Sequence, residues 1–435
     1  MPAPDREASR AAAAPVRSGG VATDRSPEFS LPLRYFLLAI GAYVAATAGM
    51  LAFGSDLTGS VWHPRVLGLT HVLTLGTIVG MIMGASYQLI PVVLLVPLWS
   101  PRLGKATFWV FLAGVIAMVA GFWGMTPAWL GIGAALAGTS IASFLVNVVV
   151  SLSRGARLGL VGAFVLASLA FLGAAVTLGM SRALGYAHPA LALAIRNPVA
   201  IHAHLAAFGG AAMLVFGVSY RLIPMFAVSS EGDRRGAWVL GLGVAGMLSL
   251  TLGLLGAAEA LVRAGALVIA AGCCVWMLDV RGMFGARIRK QLDVGLAYVV
   301  TTVGWLGLAT VLGLALAWGA VPAWIGADRL AIAYALCGLI GFIGFSILGQ
   351  FYKIMPFLAW YHRYSALVGK VKVPLIRDIY DMRLGWGGFW SSQAGLLLGV
   401  VSVLAGLGLG VRLAGLMLAL GAIATGTMVL QTLRR

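Results

Sequence analysis

Long apolar runs alternate with short polar connections along this chain, and the runs are what the pattern predicts first. They lie near 32–54, 66–95, 106–124, 129–152, 158–180 and 200–226, and then near 238–257, 260–280, 294–318, 328–351, 387–408 and 412–432. Each approaches or exceeds the roughly 20 residues that a helix needs to cross the hydrocarbon core of a bilayer. A transmembrane barrel would show alternating segments of about ten residues instead, and none is found. The reading is an all-α polytopic membrane protein of twelve transmembrane helices.

The polar connections are not alike. Arg102 and Lys105 follow the second run, Arg154 and Arg157 the fourth, Arg234 and Arg235 the sixth. Arg281, Arg287, Arg289 and Lys290 follow the eighth; Lys370, Lys372, Arg377 and Arg383 follow the tenth; the chain ends Arg434-Arg435. The other connections are poorer in charge, with Arg182, Arg196 and Arg412 as isolated exceptions. Basic residues favour the cytoplasmic side, so both termini are expected inside. Residues 1–31 are polar, contain Pro and Gly and lack helical apolar periodicity, which predicts a disordered cytoplasmic tail.

Three of the runs resemble one another. HVLTLGTIVGMIMGASYQLIP (71–91), HLAAFGGAAMLVFGVSYRLIP (204–224) and LCGLIGFIGFSILGQFYKIMP (336–356) begin 133 and 132 residues apart. Counted from the first residue, glycine recurs at +5 (Gly76, Gly209, Gly341) and +13 (Gly84, Gly217, Gly349). Tyrosine recurs at +16 (Tyr87, Tyr220, Tyr352) and proline at +20 (Pro91, Pro224, Pro356). The period divides the chain into repeats at 32–157, 158–292 and 293–435, each of four spans. An even number of spans returns the chain to the same side, so the repeats are parallel and related by a threefold axis along the membrane normal. Spans two, six and ten then form the inner ring. The +5 and +13 glycines, about 80° apart on a regular helix, permit close contact with a neighbour. The tyrosines are expected as interfacial anchors and the prolines as helix terminators.

Composition supports the membrane reading: 61% of the 435 residues are hydrophobic and 10% charged, against about 25% charged in soluble domains. The net charge of +17 is taken up by the alternate connections, so nucleic acid is not an expected partner; the lipid bilayer is. Cys273, Cys274 and Cys337 all lie in apolar runs without CxxC spacing and read as small hydrophobes. No acidic residue falls at a midplane, where ion-coupled transporters commonly place carboxylates. The motifs of ATP hydrolysis and of hydrolytic enzymes are absent.

The candidate chemistry lies in the histidines. His71 and His204 occupy the same repeat position, with Leu336 as the third member. Each is six or seven residues past a proline, hence about 10 Å into its helix. Neutral imidazoles at that depth on adjacent inner helices suit a haem iron or copper, and His71 and His204 are the expected ligands. His202, two residues earlier, points about 200° away from His204. It therefore serves a second site or orients a ligand, and is expected to be accessory. His63 and His188 are expected as loop residues, and His362 against headgroups or loop backbone.

Twelve spans, three parallel units and histidines early in even spans resemble subunit I of haem-copper oxidases. AIHAHLAAFGG (200–210) followed by Pro224 resembles more closely the NnrS family, membrane haem-copper proteins linked to nitric oxide stress. The match is the HxH of His202 and His204, with Gly209 and Pro224. The resemblance implies a bacterial inner-membrane protein that binds haem, with copper as a second metal. It also implies an oxidoreductase role in electron transfer or nitric oxide handling, with a redox partner such as a cytochrome or a quinol. The oxidase pattern also requires a histidine pair in span seven and histidines in span ten. Span seven has none, and span ten offers Leu336 and Cys337, so the oxidase's dinuclear centre is not reproduced. The alternative reading is a cofactor-free transporter or a metal or cofactor assembly factor.

Overall fold

The computed structural model describes residues 28–155, 158–230 and 232–434. Most of the tail expected at 1–31 therefore lies outside the described residues. Twelve helices among the described residues are long and apolar enough to cross a membrane. They are α1 (Ser30–Phe53), α2 (Pro64–Val92), α3 (Pro101–Trp123), α4 (Pro127–Ser153), α5 (Leu160–Ala187) and α6 (Pro198–Ala227). The second half holds α7 (Gly236–Gly256), α8 (Glu259–Gly285), α9 (Val294–Ala317), α10 (Ala327–Leu367), α11 (Met382–Ala405) and α12 (Gly408–Arg434). The only extended pairing among the described residues is a single bridge between Ser229 and Arg287.

The helix starts are written locally. Pro64, Pro101, Pro127 and Pro198 open α2, α3, α4 and α6, where a missing N–H costs no intrahelical bond. The Ser100 hydroxyl and the Asp293 and Asp381 carboxylates accept from the first-turn amides of α3, α9 and α11. One expectation for the ends needs correction. The prolines at +20 do not terminate their helices. Pro91 and Pro224 are accommodated in the last turns of α2 and α6, and α10 runs past Pro356 for two further turns to Tyr364.

Consecutive helices pack on one another, and α12 packs on α1, so the other nine close into a ring around α2, α6 and α10. The repeat glycines set how closely the inner helices seat against α1, α5 and α9. A methyl on Gly76 would lie 2.5 Å from the Ala42 Cβ, one on Gly209 2.6 Å from the Phe171 Cβ, and one on Gly341 2.6 Å from the Trp305 Cγ. At or directly after the first repeat position each inner helix changes its winding. Val72–Val79, Leu205–Ala212 and Leu336–Gly344 are π-helical, and these three segments touch one another at the axis. Such winding is rare, under about 1% of residues, and frequents functional sites. Its threefold recurrence at one depth belongs to the repeat and not to chance.

The repeat tyrosines are not interfacial anchors. Tyr87, Tyr220 and Tyr352 are buried and reach across to α4, α8 and α12. The Tyr220 hydroxyl donates to Asp279 at 3.0 Å, Tyr352 meets the Thr425 hydroxyl at 3.5 Å, and Tyr87 lies beside Asn147. Asp279, expected at a span end, is buried inside α8 and also accepts from Arg235 at 3.0 Å. The Tyr220 and Tyr352 hydroxyls, which find polar partners inside the bundle, have no need of the interface.

Candidate metal centre

All three span histidines engage one ring nitrogen in the same way. His71 Nδ1 lies 2.8 Å from the Leu67 carbonyl oxygen, His204 Nδ1 2.8 Å from that of Ala200, and His202 Nδ1 2.8 Å from that of Ala175 on α5. A carbonyl oxygen only accepts, so each Nδ1 carries the hydrogen, and in the neutral ring Nε2 keeps its lone pair. The sequence dictates the first two bonds, because residues i and i−4 adjoin on a helix. The His202 bond depends on α5. A methyl on Gly179 would stand 2.7 Å from the His202 Cε1 and 3.0 Å from its Nδ1, so only glycine there leaves the ring its place. His71, His202 and His204 are residues of intermediate burial although their helices form the centre of the bundle.

The ring that meets His71 is that of His202. Their centroids are 6.5 Å apart with planes 13° from parallel, and the ring of Phe122 on α3 lies 4.7 Å from that of His71. His204 instead stacks on Tyr334 of α10, at 6.1 Å and 27°. The repeat explains this pairing. His202 and Tyr334 both stand two residues before the first repeat position, which His71 and His204 occupy. At both of these interfaces, the first-position residue of one repeat meets the residue two places earlier in the next. His71 therefore pairs with His202 and not with His204, its equivalent in the repeat. At the third position Leu336 is buried. One interface thus holds two imidazoles and another an imidazole and a phenol.

With metal–nitrogen bonds of about 2.0–2.1 Å, the 6.5 Å between the two ring centres is short enough for both imidazoles to hold one ion. Among the described residues no group of three or more His, Cys, Asp or Glu side chains gathers as a metal site. The pair therefore suits a metal that brings most of its own ligands, as haem iron does, better than a bare ion needing three or four protein donors. Gly179 and Tyr334 escaped the sequence reading. Tyr334 was findable, since it aligns with His202 in the repeat; Gly179 was not, since nothing local marks one glycine among the 59 of this chain. The other histidines lie elsewhere: His63 caps α2 by accepting from the Arg65 amide at 3.3 Å, His188 ends α5, and His362 stacks on Phe29 at 5.5 Å.

Neither a protein-family model nor a curated protein matches this sequence. A solved structure, the cryo-EM structure of a haem-copper terminal oxidase dimer, matches with a TM-score of 0.65 over 93% of this chain and 84% of that chain, at 11% sequence identity. Likeness at that identity establishes the fold alone. The chain is a multi-pass membrane protein with the fold of a haem-copper terminal oxidase.

Proposed function

We propose that this protein is a membrane haem protein that serves electron transfer or the handling of a small diatomic molecule such as nitric oxide. His71 and His202 hold the haem between α2 and α6. The observation that carries the reading is the near-parallel pair of imidazoles from neighbouring inner helices, each with its Nδ1 hydrogen engaged by a backbone carbonyl. Those hydrogen bonds fix the tautomer and raise the basicity of Nε2, as the outer partners of metal-binding histidines do. Bound there, a haem supplies one-electron chemistry and an affinity for diatomic gases. The chain would supply two imidazole donors, His71 and His202, and the apolar surround of Phe122 and the π-helical segments. His204 lies at the next interface and serves as a further ligand position, with Tyr334 opposite it. A copper ion is the other metal that two neutral imidazoles suit.

The oxidase-like fold and the HxH of His202 and His204 with Gly209 and Pro224 support this reading, the latter through its likeness to the NnrS family. The lack of a histidine in span seven, and Leu336 and Cys337 at the first positions of span ten, speak against a complete oxidase dinuclear centre. The basic ends of the even helices favour a bacterial inner-membrane location with both termini cytoplasmic, where a cytochrome or a quinol is the redox partner to expect. The test is the visible spectrum and metal content of the purified protein. A Soret band present in the wild type and lost in both His71→Ala and His202→Ala is expected. A colourless, metal-free protein with both histidines intact would favour a cofactor-free transporter or assembly factor instead.

A further inference from the structure

The connection from α10 to α11, at the basic end of the bundle and remote from the histidines, combines two kinds of side chain that a water-facing loop seldom combines. Five of the ten residues 367–376 are exposed aliphatic groups: Leu367, Val368, Val371, Leu375 and Ile376. Val368, Val371 and Leu375 are 55%, 57% and 56% exposed. Lys370 and Lys372 stand among them, both exposed, and among the described residues neither ammonium makes an ion pair or a hydrogen bond. The acidic groups of the connection are engaged elsewhere. Asp378 lies 3.7 Å from the Arg377 guanidinium and accepts from the Leu375 amide at 3.3 Å, and Asp381 accepts from the Arg383 amide at 2.8 Å where α11 begins. Two cations therefore remain uncompensated in an apolar setting.

The backbone of this connection is fastened to the helix ends. The Trp360 Nε1 donates to the Pro374 carbonyl at 2.7 Å, Ile379 is buried, and the Asp381 amide donates to the Gln431 side-chain carbonyl at 3.0 Å. Arg363 donates to the Leu433 carbonyl at 3.2 Å, and His362 stacks on Phe29 just before α1. Gln431 and Leu433 belong to the last turn of α12. The connection is thus held at the level where α1, α10, α11 and α12 end, which for a spanning bundle is the headgroup layer. There exposed aliphatic groups can enter the acyl boundary while the lysine stems follow them and leave their ammonium groups among the headgroups. Aliphatic groups alone would suit any lipid. The uncompensated lysines favour an anionic one. An acidic protein would answer the lysines too, but the bilayer already adjoins these helix ends and covers the aliphatic groups as well.

We propose that residues 367–376 form an anionic-phospholipid site, with Val368, Val371 and Leu375 in the acyl boundary and Lys370 and Lys372 on the phosphates. The site is independent of any metal at His71 and His202. The test is deuterium exchange over 366–376 in the full-length protein, held in phosphatidylcholine nanodiscs with an increasing share of phosphatidylglycerol. Exchange there is expected to slow as that share rises. The share that gives half the effect should rise about fivefold for each of Lys370→Gln and Lys372→Gln, the worth of one cation near an anionic surface. Val368→Ser combined with Val371→Ser should weaken protection in either lipid, whereas Arg154→Gln, at the end of α4, should change nothing. Exchange across α10 and α11 reports folding in the same samples, and the wild-type comparison decides the matter if a variant does not fold. Glycerol 3-phosphate, which carries the phosphate without the chains, should protect nothing. Equal exchange in the two lipids, or an undiminished effect of phosphatidylglycerol with both lysines replaced, would overturn the proposal. Protection by glycerol 3-phosphate, or by polyglutamate in place of the anionic lipid, would do so too.

Discussion

Gly179→Ala isolates the support of the candidate centre without touching a donor. The added methyl would lie 2.7 Å from the His202 Cε1. Carbon atoms rest at about 3.5–4.0 Å, so the ring must retreat from α5 by roughly 0.8 Å or the helices must part. Retreat lengthens the 2.8 Å hydrogen bond to Ala175 and closes the 6.5 Å interval to His71 in which one metal fits. Loss of the hydrogen bond costs about 0.5–1.5 kcal/mol, and loss of such an outer partner typically weakens metal affinity by about 10–100-fold. Gly173→Ala on the same helix is the control, because its methyl would find only an ordinary contact, 3.4 Å from the Leu145 Cδ1. The assay is cofactor absorbance and metal per protein, with thermal unfolding in parallel. Gly179→Ala should lose most of its cofactor, with a shifted band in the remainder, while Gly173→Ala matches the wild type. Full retention with an unshifted spectrum in Gly179→Ala would refute the reasoning.

Four further outcomes can be checked. His204→Ala, which leaves the His71–His202 pair intact, should keep the main absorption band that His202→Ala abolishes. Asp279→Ala removes the acceptor of Tyr220 and Arg235 inside α8 and should cost about 1–3 kcal/mol, read as a lowered Tm; Asp279→Asn should cost less. Gly341→Leu drives a side chain into Trp305 and should destabilise by about 1–3 kcal/mol, whereas Gly338→Leu, with open space around it, should be tolerated. The Lys105 ammonium beside Glu28 holds its carboxyl below the usual 4.5. A depressed carboxylate stabilises above its ordinary value and loses that contribution as pH falls. Any margin of wild type over Glu28→Gln in a Tm series should therefore be present above about pH 4.5 and fade in more acidic solution; because Glu28 is exposed, a small margin is expected.

The architecture was largely legible because membrane helices must be long, apolar and internally hydrogen-bonded, and because Gly, Tyr and Pro at fixed offsets reveal the repeat. Helix ends were less so: Pro356 reads as a stop, yet α10 continues because neighbouring groups and the membrane boundary tolerate the interrupted ladder. The π-helical turns were invisible, since apolar residues on every side of an inner helix leave no periodicity to misfit. The histidines themselves were legible, and the partnership was not. Repeat equivalence pairs His71 with His204, whereas the ring that meets His71 is that of His202, two places earlier. Tyr220 with Asp279 shows the same limit, as the partner stands 59 residues away on another helix.

The central claim is that His71 and His202 ligate one metal. Counting imidazole ligands by X-ray absorption at the metal edge of the purified protein tests it most directly. Two imidazoles are predicted in the wild type and in His204→Ala, and one or none after His71→Ala or His202→Ala. A metal whose imidazole count is unchanged when either His71 or His202 is removed would contradict the account.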